Sequence, residues 1–154
     1  MTEKRELKVK SIRNGTVIDH IKQNRASNIL SMLNLPDDET TIMVAINVES
    51  SIMGKKDIIK IESRELSEEE VDKLALLAPQ ASVNIIRDYE IVNKYNLHLT
   101  HEITDVVSCS NPNCISNSHE PIQHKFYLQS KEPVILRCHY CERTMDYDDI
   151  ESQF

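Results

Sequence analysis

Tryptophan is absent from this 154-residue chain, and glycine occurs only twice, at Gly15 and Gly54. Neither common glycine-rich phosphate loop can be written with two glycines so far apart. No stretch approaches the ~20 consecutive apolar residues that a bilayer-spanning helix needs. The opening residues Met1-Thr2-Glu3-Lys4-Arg5-Glu6 lead into no apolar segment of the secretory type, so the expectation is a cytoplasmic protein with no membrane association. Positive charge is also scarce: 18 Lys and Arg stand against 25 Asp and Glu, a net charge of −7. Proteins that neutralise nucleic-acid phosphates carry the opposite balance. There is no internal repeat, no low-complexity tract, no nucleophile elbow and no recognisable nucleophile–base pair, so no catalytic residue is assigned.

What is present is an ordinary globular balance, 40% apolar and 28% charged, long enough for one domain or two small ones. Leu7 to Arg13 reads as a strand, Asn14-Gly15 as a tight turn, and Thr16 to Ile21 as extended chain. Ala26, Ile29, Leu30 and Leu33 recur with helical spacing, which predicts a helix from Arg25 to Leu35, stopped by Pro36. Thr41 to Val48 predicts a strand with Ile42, Val44, Ile46 and Val48 on one face, and Asp57 to Glu62 another. Ser67-Glu68-Glu69-Glu70 has the form of a capping box, flanked by Leu66 and Val71 as a hydrophobic staple. The helix it opens would bury Val71, Leu74, Ala75 and Ala78 and end at Pro79. The three glutamates are explained by the positive end of that helix. Ser82 to Val92 returns to strand. The order β-α-β-β-α-β is that of a split βαβ, ferredoxin-like α+β domain, with both helices on one face of an antiparallel sheet. Lys94 to Glu102 reads as a linker. Beyond it, helix signals stop and short β segments, Lys125 to Gln129 and Val134 to Arg137, lie between turns.

This second unit is too small to rest on an apolar core alone, and domains of such size commonly rely on a metal or disulfides. It holds all four cysteines: Cys109 and Cys114, then a 23-residue span, then Cys138 and Cys141. Two close pairs on tight turns can bring four thiolates into a tetrahedron that suits Zn²⁺. Two disulfides, an iron–sulfur centre or four unconnected thiols are the alternatives, and a reducing compartment disfavours the first. His101, His119, His124 or His139 could replace one ligand. Four thiolates would close the shell, which makes the ion structural rather than catalytic. Residues 105–154 hold eight acids and four bases, a net of −4, against a nucleic-acid-binding zinc ribbon, the alternative function for such a module. A small enzyme of ferredoxin-like fold is the third reading.

An acidic chain can still carry a local cationic site. Lys56, Ile58 and Lys60 share one parity and so one strand face, with Lys94 after the last strand and Asp19 and His20 after the Asn-Gly turn. Lysines offer donors to phosphates and Asp19 an acceptor for ribose hydroxyls. Taken by itself the set also fits a solvated strand face, and His20 fits a structural role.

These segments together resemble the regulatory chain of aspartate carbamoyltransferase. The resemblance rests on Gly15-Thr16-Val17-Ile18-Asp19-His20-Ile21, the Gly54 to Glu62 strand, Leu74 to Asn84 and Tyr89-Glu90. In the second half it rests on Cys109-Ser110-Asn111-Pro112-Asn113-Cys114-Ile115 and Cys138-His139-Tyr140-Cys141-Glu142. It covers essentially the whole length. It implies a non-catalytic chain with a nucleotide-binding allosteric domain over residues 1–100 and a structural zinc domain over 101–154. The effectors implied are CTP, UTP and ATP, acting on the first committed step of pyrimidine biosynthesis. It further implies that Asp19 and Lys60 face ribose and base, and His20 and Lys94 the phosphates. Lys56 would be a further phosphate contact. The backbone around Ser11, Ile12, Tyr89 and Ile91 would read the base edge, with Val17 and Ile86 lining the pocket. Cys109, Cys114, Cys138 and Cys141 would hold the zinc ion. Asn111, Asn113 and Glu142 would meet the catalytic chain, and the N-terminal domain would pair with a second copy.

Overall fold

The computed structural model describes residues 11–154. Its elements are β1 (Gly15–Lys22), α1 (Ala26–Met32), β2 (Ile42–Ser50), β3 (Gly54–Glu62), α2 (Glu68–Leu77), β4 (Ser82–Arg87) and β5 (Glu90–Asn96). The second half follows with β6 (Glu102–Thr104), a 3-10 turn at Ile115–Asn117, β7 (Lys125–Lys131), β8 (Val134–Cys138), β9 (Thr144–Met145) and α3 (Tyr147–Glu151). The first sheet is antiparallel in the order β2-β3-β1-β4-β5, and the second runs β6-β7-β8-β9. The α+β class and the ferredoxin-like order of the first six elements are as the pattern predicts.

Alternation decides which face of the first sheet is covered. Ile18, Ile59, Ile61, Val83 and Ile85 are buried in one cluster with Ala26, Ile29, Leu74 and Leu77 from the two helices. Full burial of side chains of this size stabilises by about 1.5–3 kcal/mol each. The residues between them, Val17, Asp19, Lys56, Ile58, Lys60 and Asn84, are only half-buried, because no helix lies over their face. The capping box of α2 forms as expected: Glu70 N–H donates to Ser67 Oγ at 3.2 Å, and Ser67 N–H to Glu70 Oε1 at 3.1 Å. α1 has no such side-chain cap of its own; the buried Asp57 carboxylate of β3 accepts the Ala26 N–H instead.

Several expectations need correction. Of the strand predicted over Leu7 to Arg13, residues 7–10 lie outside the described residues, and Ser11 to Arg13 are not strand. Asn14-Gly15 is therefore a bend that enters β1, not a hairpin turn. The strand predicted over Ser82 to Val92 is two strands. Asp88 and Tyr89 both take left-handed backbone conformations (φ 49° and 67°) and turn the chain back, so Lys94 to Asn96 belong to β5 rather than to a linker. The second half is not purely β: α3 opens with a capping box built from Asp146 and Asp149. Ile42 and Val44 stand opposite Ile61 and Ile59 on the helix side, but the irregularity between Ala45 and Val48 sets Val48 opposite Lys56 on the open face, so the four residues expected on one face of β2 are split between two. Val44 and Ile46 are exposed, because β2 is an edge strand among the described residues.

Candidate metal centre and nucleotide face

Two knuckles position the cysteines. In the first, Cys114 N–H donates to Asn111 O at 3.0 Å, and Asn117 Nδ2 donates to the carbonyls of Cys109 and Asn111. In the second, Glu142 N–H returns to Cys138 O at 3.1 Å, which places Glu142 in the left-handed region (φ 62°). The β8–β9 pairing carries this knuckle, since Cys138 is the last residue of β8.

The four sulfurs lie within 4.8 Å of one another. Cys109 Sγ is 3.6 Å from Cys141 Sγ, and Cys114 Sγ is 3.7 Å from Cys138 Sγ. A disulfide would need ~2.05 Å. A tetrahedron of thiolates ~2.3 Å from a central zinc has edges of about 3.8 Å, which these separations match. Burial pushes the Cys109 thiol up to about 12 and raises Cys138 as well. At Cys141 burial also acts upward, but bonds from the Arg143 backbone and the Asn111 side chain, with Cys109 and Cys138 beside it, bring it down to about 7. Thiols held this close lose their protons to a cation placed among them. Ser116, itself buried, puts its hydroxyl 3.1 Å from Cys114 Sγ. The donor set and its spacing fit one zinc ion, with no position left for water.

Asn113 and Glu142 stand exposed on the two knuckles. Asn111 does not, contrary to the expectation that it faces a partner. It is nine-tenths buried, and its Oδ1 accepts the Asn113 N–H at 3.1 Å. A short amide this close to two tight turns satisfies their backbone first.

On the uncovered face of the first sheet, register aligns Lys60 of β3 opposite Val17 of β1. Val17 stands opposite Asn84 of β4, and Asn84 opposite Lys94 of β5. A second row is Gly15, Ile86 and Ile91. Lys56 Nζ lies 2.9 Å from Asp19 Oδ1. The bulge in β1 after Ile18 sets His20 in a left-handed conformation (φ 58°), with Nδ1 3.2 Å from Ser82 Oγ. Burial lowers the pKa of Lys60 from the usual lysine range, although the Asp19 charge opposes it. Val17, Asp19, Lys56, Lys60 and Lys94 thus lie on one face of the sheet, with His20 at the β1 bulge beside them. Ile12 is buried, while Ser11, Tyr89 and Ile91 are exposed. Tyr89 N–H bonds Arg13 O at 2.9 Å, and Asp88 N–H bonds Asn14 Oδ1 at 3.2 Å, so the segment after Ile12 runs against the β4–β5 turn.

Sequence reasoning missed Asn84. Its Oδ1 is buried with no hydrogen-bond partner, between Val17 and Lys94. Its parity with Ile86 was the available signal. Buried acceptors are nearly always satisfied, so this orphan marks a place where a ligand donor fits.

An α+β domain with an open, lysine-bearing sheet face, joined to a module with four converging cysteines, defines a protein with a metal-binding second half. Residues 7–98 match the family described as aspartate carbamoyltransferase regulatory chain, allosteric domain, and residues 101–151 match the metal binding domain of the same chain. Relatives named aspartate carbamoyltransferase regulatory chain include one from Methanosphaera stadtmanae, 74% identical over 98% of this chain and 99% of its own. Another, from Methanothermobacter thermautotrophicus, is 55% identical over 97% and 96%, and one from Thermococcus sibiricus is 53% identical over 92% and 93%. The chain belongs to the aspartate carbamoyltransferase regulatory chain family.

Proposed function

We propose that this chain is the non-catalytic regulatory subunit of an aspartate carbamoyltransferase. It binds CTP, UTP and ATP on the open face of its first sheet and modulates the catalytic chain through its zinc domain. The observation that carries the reading is the row Lys60–Val17–Asn84–Lys94 with the Asp19–Lys56 pair beside it. In this reading the lysines serve the phosphates, the Asp19 carboxylate the ribose hydroxyls and the unpartnered Asn84 acceptor the base. Residues 1–100 form the allosteric unit and 101–154 the zinc unit. Asn113 and Glu142 meet the catalytic chain directly, while Asn111 sets the knuckle that presents them. The exposed Val44 and Ile46 on β2, an edge strand among the described residues, support pairing of two copies through the N-terminal domain, since an apolar strand edge invites another chain. Among the described residues no helix is long and apolar enough to cross a membrane, and the place of action proposed is the cytoplasm.

Allostery of this kind is differential binding to two states, with a coupling of about 1–3 kcal/mol. The deciding experiment is co-purification with an aspartate carbamoyltransferase catalytic chain, followed by its activity with and without CTP and ATP. A stable complex whose activity shifts with nucleotide is expected. Failure to associate, or turnover by this chain alone, would overturn the reading.

A further inference from the structure

Asp57 is a fully buried carboxylate with no ion-pair partner among the described residues. It sits on β3 between Lys56 and the half-buried Ile58, with its side chain on the helix side of the sheet. Its two oxygens do separate work. Oδ2 accepts the N–H of Ala26, the first residue of α1, at 3.1 Å, and Oδ1 accepts the N–H of Asn47, at the irregularity of the edge strand β2, at 3.1 Å. The start of α1 is thereby tied to the strand that carries Lys56 and Lys60 on its opposite face. That same end of α1 grips the second domain. The Arg25 guanidinium stacks on the Tyr147 ring at 3.6 Å from its centroid, and Asn28 Nδ2 donates to the Tyr147 hydroxyl at 3.0 Å. Tyr147 is the first residue of α3, fixed there by the Asp146–Asp149 capping box. α3 in turn reaches the metal knuckle: it follows directly on β9, whose Met145 sulfur takes the Ser110 N–H at 3.2 Å, and Gln153 just beyond it bonds both backbone groups of Ser108.

Beside this clamp the two halves do not close on each other. A cleft of about 160 Å³ remains, lined by Lys22, Arg25, Leu77, Lys131, Glu132 and Tyr147. Next to the cleft the contact of α1 with α3 runs through discrete bonds to one aromatic ring, while α2 packs on α3 within a buried cluster shared by both halves. We infer that Asp57, Arg25, Asn28 and Tyr147 form a positioning relay that carries a displacement of the nucleotide-bearing strand β3 to the zinc domain. The relay rests on the nucleotide reading given above. A shift of Lys56 and Lys60 toward a phosphate moves Asp57 on the same strand, Asp57 moves the start of α1, and α1 turns α3 through Tyr147.

The test uses the full chain assembled with its catalytic partner, in Asp57→Asn, Tyr147→Phe and Tyr147→Leu variants. Asparagine keeps the volume of Asp57 but offers one acceptor instead of two. Phenylalanine removes only the Asn28 bond, and leucine removes the Arg25 stack as well. Expected are ATP and CTP affinities within about twofold of the parent, full zinc content, and a nucleotide-dependent activity ratio at least about threefold smaller in Asp57→Asn and Tyr147→Leu, within the range of ordinary couplings. Because the two sites act in series, the double variant should lose no more than the larger single loss. A parental ratio in both variants, additive losses, or weakened nucleotide binding overturns the relay. Hydrogen exchange gives a readout that needs no nucleotide. The α3 amides of Ile150 and Ser152 should exchange several-fold faster in Arg25→Ala, and parental exchange overturns the clamp. A parent complex that ignores nucleotide while Arg25→Ala still loosens α3 keeps the clamp and removes the regulatory reading instead.

Discussion

The Lys56 ammonium and the Asp19 carboxylate meet at 2.9 Å with both side chains largely withdrawn from water. Asp19 Oδ1 also accepts the His20 N–H at 2.6 Å. The carboxylate therefore holds the lysine side chain in place on the sheet face proposed to bind nucleotide, before any phosphate arrives. Lys56→Ala should weaken CTP and ATP binding roughly ten- to a hundredfold, the loss of one hydrogen bond to a charged group. Titration calorimetry on the full chain measures this, and its salt dependence should flatten with the lost charge. Unaltered affinity would place Lys56 outside the site.

Lys60 sits on the same face at a cost. Burial lowers its pKa, so its charged form is penalised in the folded chain. The sign follows from proton counts: between the lowered folded value and the ordinary lysine range the unfolded chain binds more protons, so Lys60 lets stability rise with pH there, and its penalty is fully present below. Lys60→Met should therefore raise the urea midpoint at neutral pH while weakening nucleotide binding. A bound phosphate favours the charged lysine, so affinity in the parent should decline with rising pH earlier than an exposed lysine would give. A variant that is both less stable and fully able to bind would contradict this account.

What the amino-acid pattern reveals follows from how local each signal is. The α2 cap needs only Ser67 and Glu70, and the metal centre only the cysteine spacing, so both are legible in the chain. The turn at Asp88 and Tyr89 is not, since neither residue is glycine and their left-handed backbone is imposed by bonds from Asn14 and Arg13, some 75 positions earlier. α3 is hidden by its five-residue length and by an aspartate pair where Ser and Glu are the familiar signature. Asn111 looks like a surface residue because asparagine usually is one; only the fold of two knuckles turns it inward. The open nucleotide face lies between these cases. Parity groups Lys56 with Lys60, but the alignment of Val17, Asn84 and Lys94 beside them depends on strand order.

Removing the metal should unfold the second half. Its four thiols are buried or half-buried around one point, and structural zinc contributes about 10–16 kcal/mol to small modules of this type. A chelator should abolish the ordered signal of residues 103–154 in circular dichroism and release the catalytic chain. Cys114→Ser should act the same way on size exclusion, since Cys114 also anchors the turn that presents Asn113. A complex of normal size from either treatment would show that the fold does not depend on the ion.

The two glycines give a matched pair of tests. Gly15 enters β1 at φ 141°, and a Cβ there would stand 2.0 Å from the Ile61 carbonyl oxygen and 3.0 Å from its carbon. Those atoms are backbone in the β1–β3 ladder, where Gly15 faces Glu62 and Thr16 faces Ile61, so nothing flexible can step aside. Gly54, at φ 77°, has open space where its Cβ would lie. Gly54→Ala should therefore lose only the left-handed penalty of about 1–2 kcal/mol, whereas Gly15→Ala adds an overpacking loss of about 1–3 kcal/mol or more to its own strain. Urea unfolding of both variants measures the difference. Because Gly15 also stands opposite Ile86 on the open face, the residual folded Gly15→Ala protein should bind CTP more weakly, while Gly54→Ala should bind as the parent does. Equal stability losses at the two positions would mean that β1 and β3 separate enough to admit a methyl group, and the close approach at Ile61 would no longer explain the glycine.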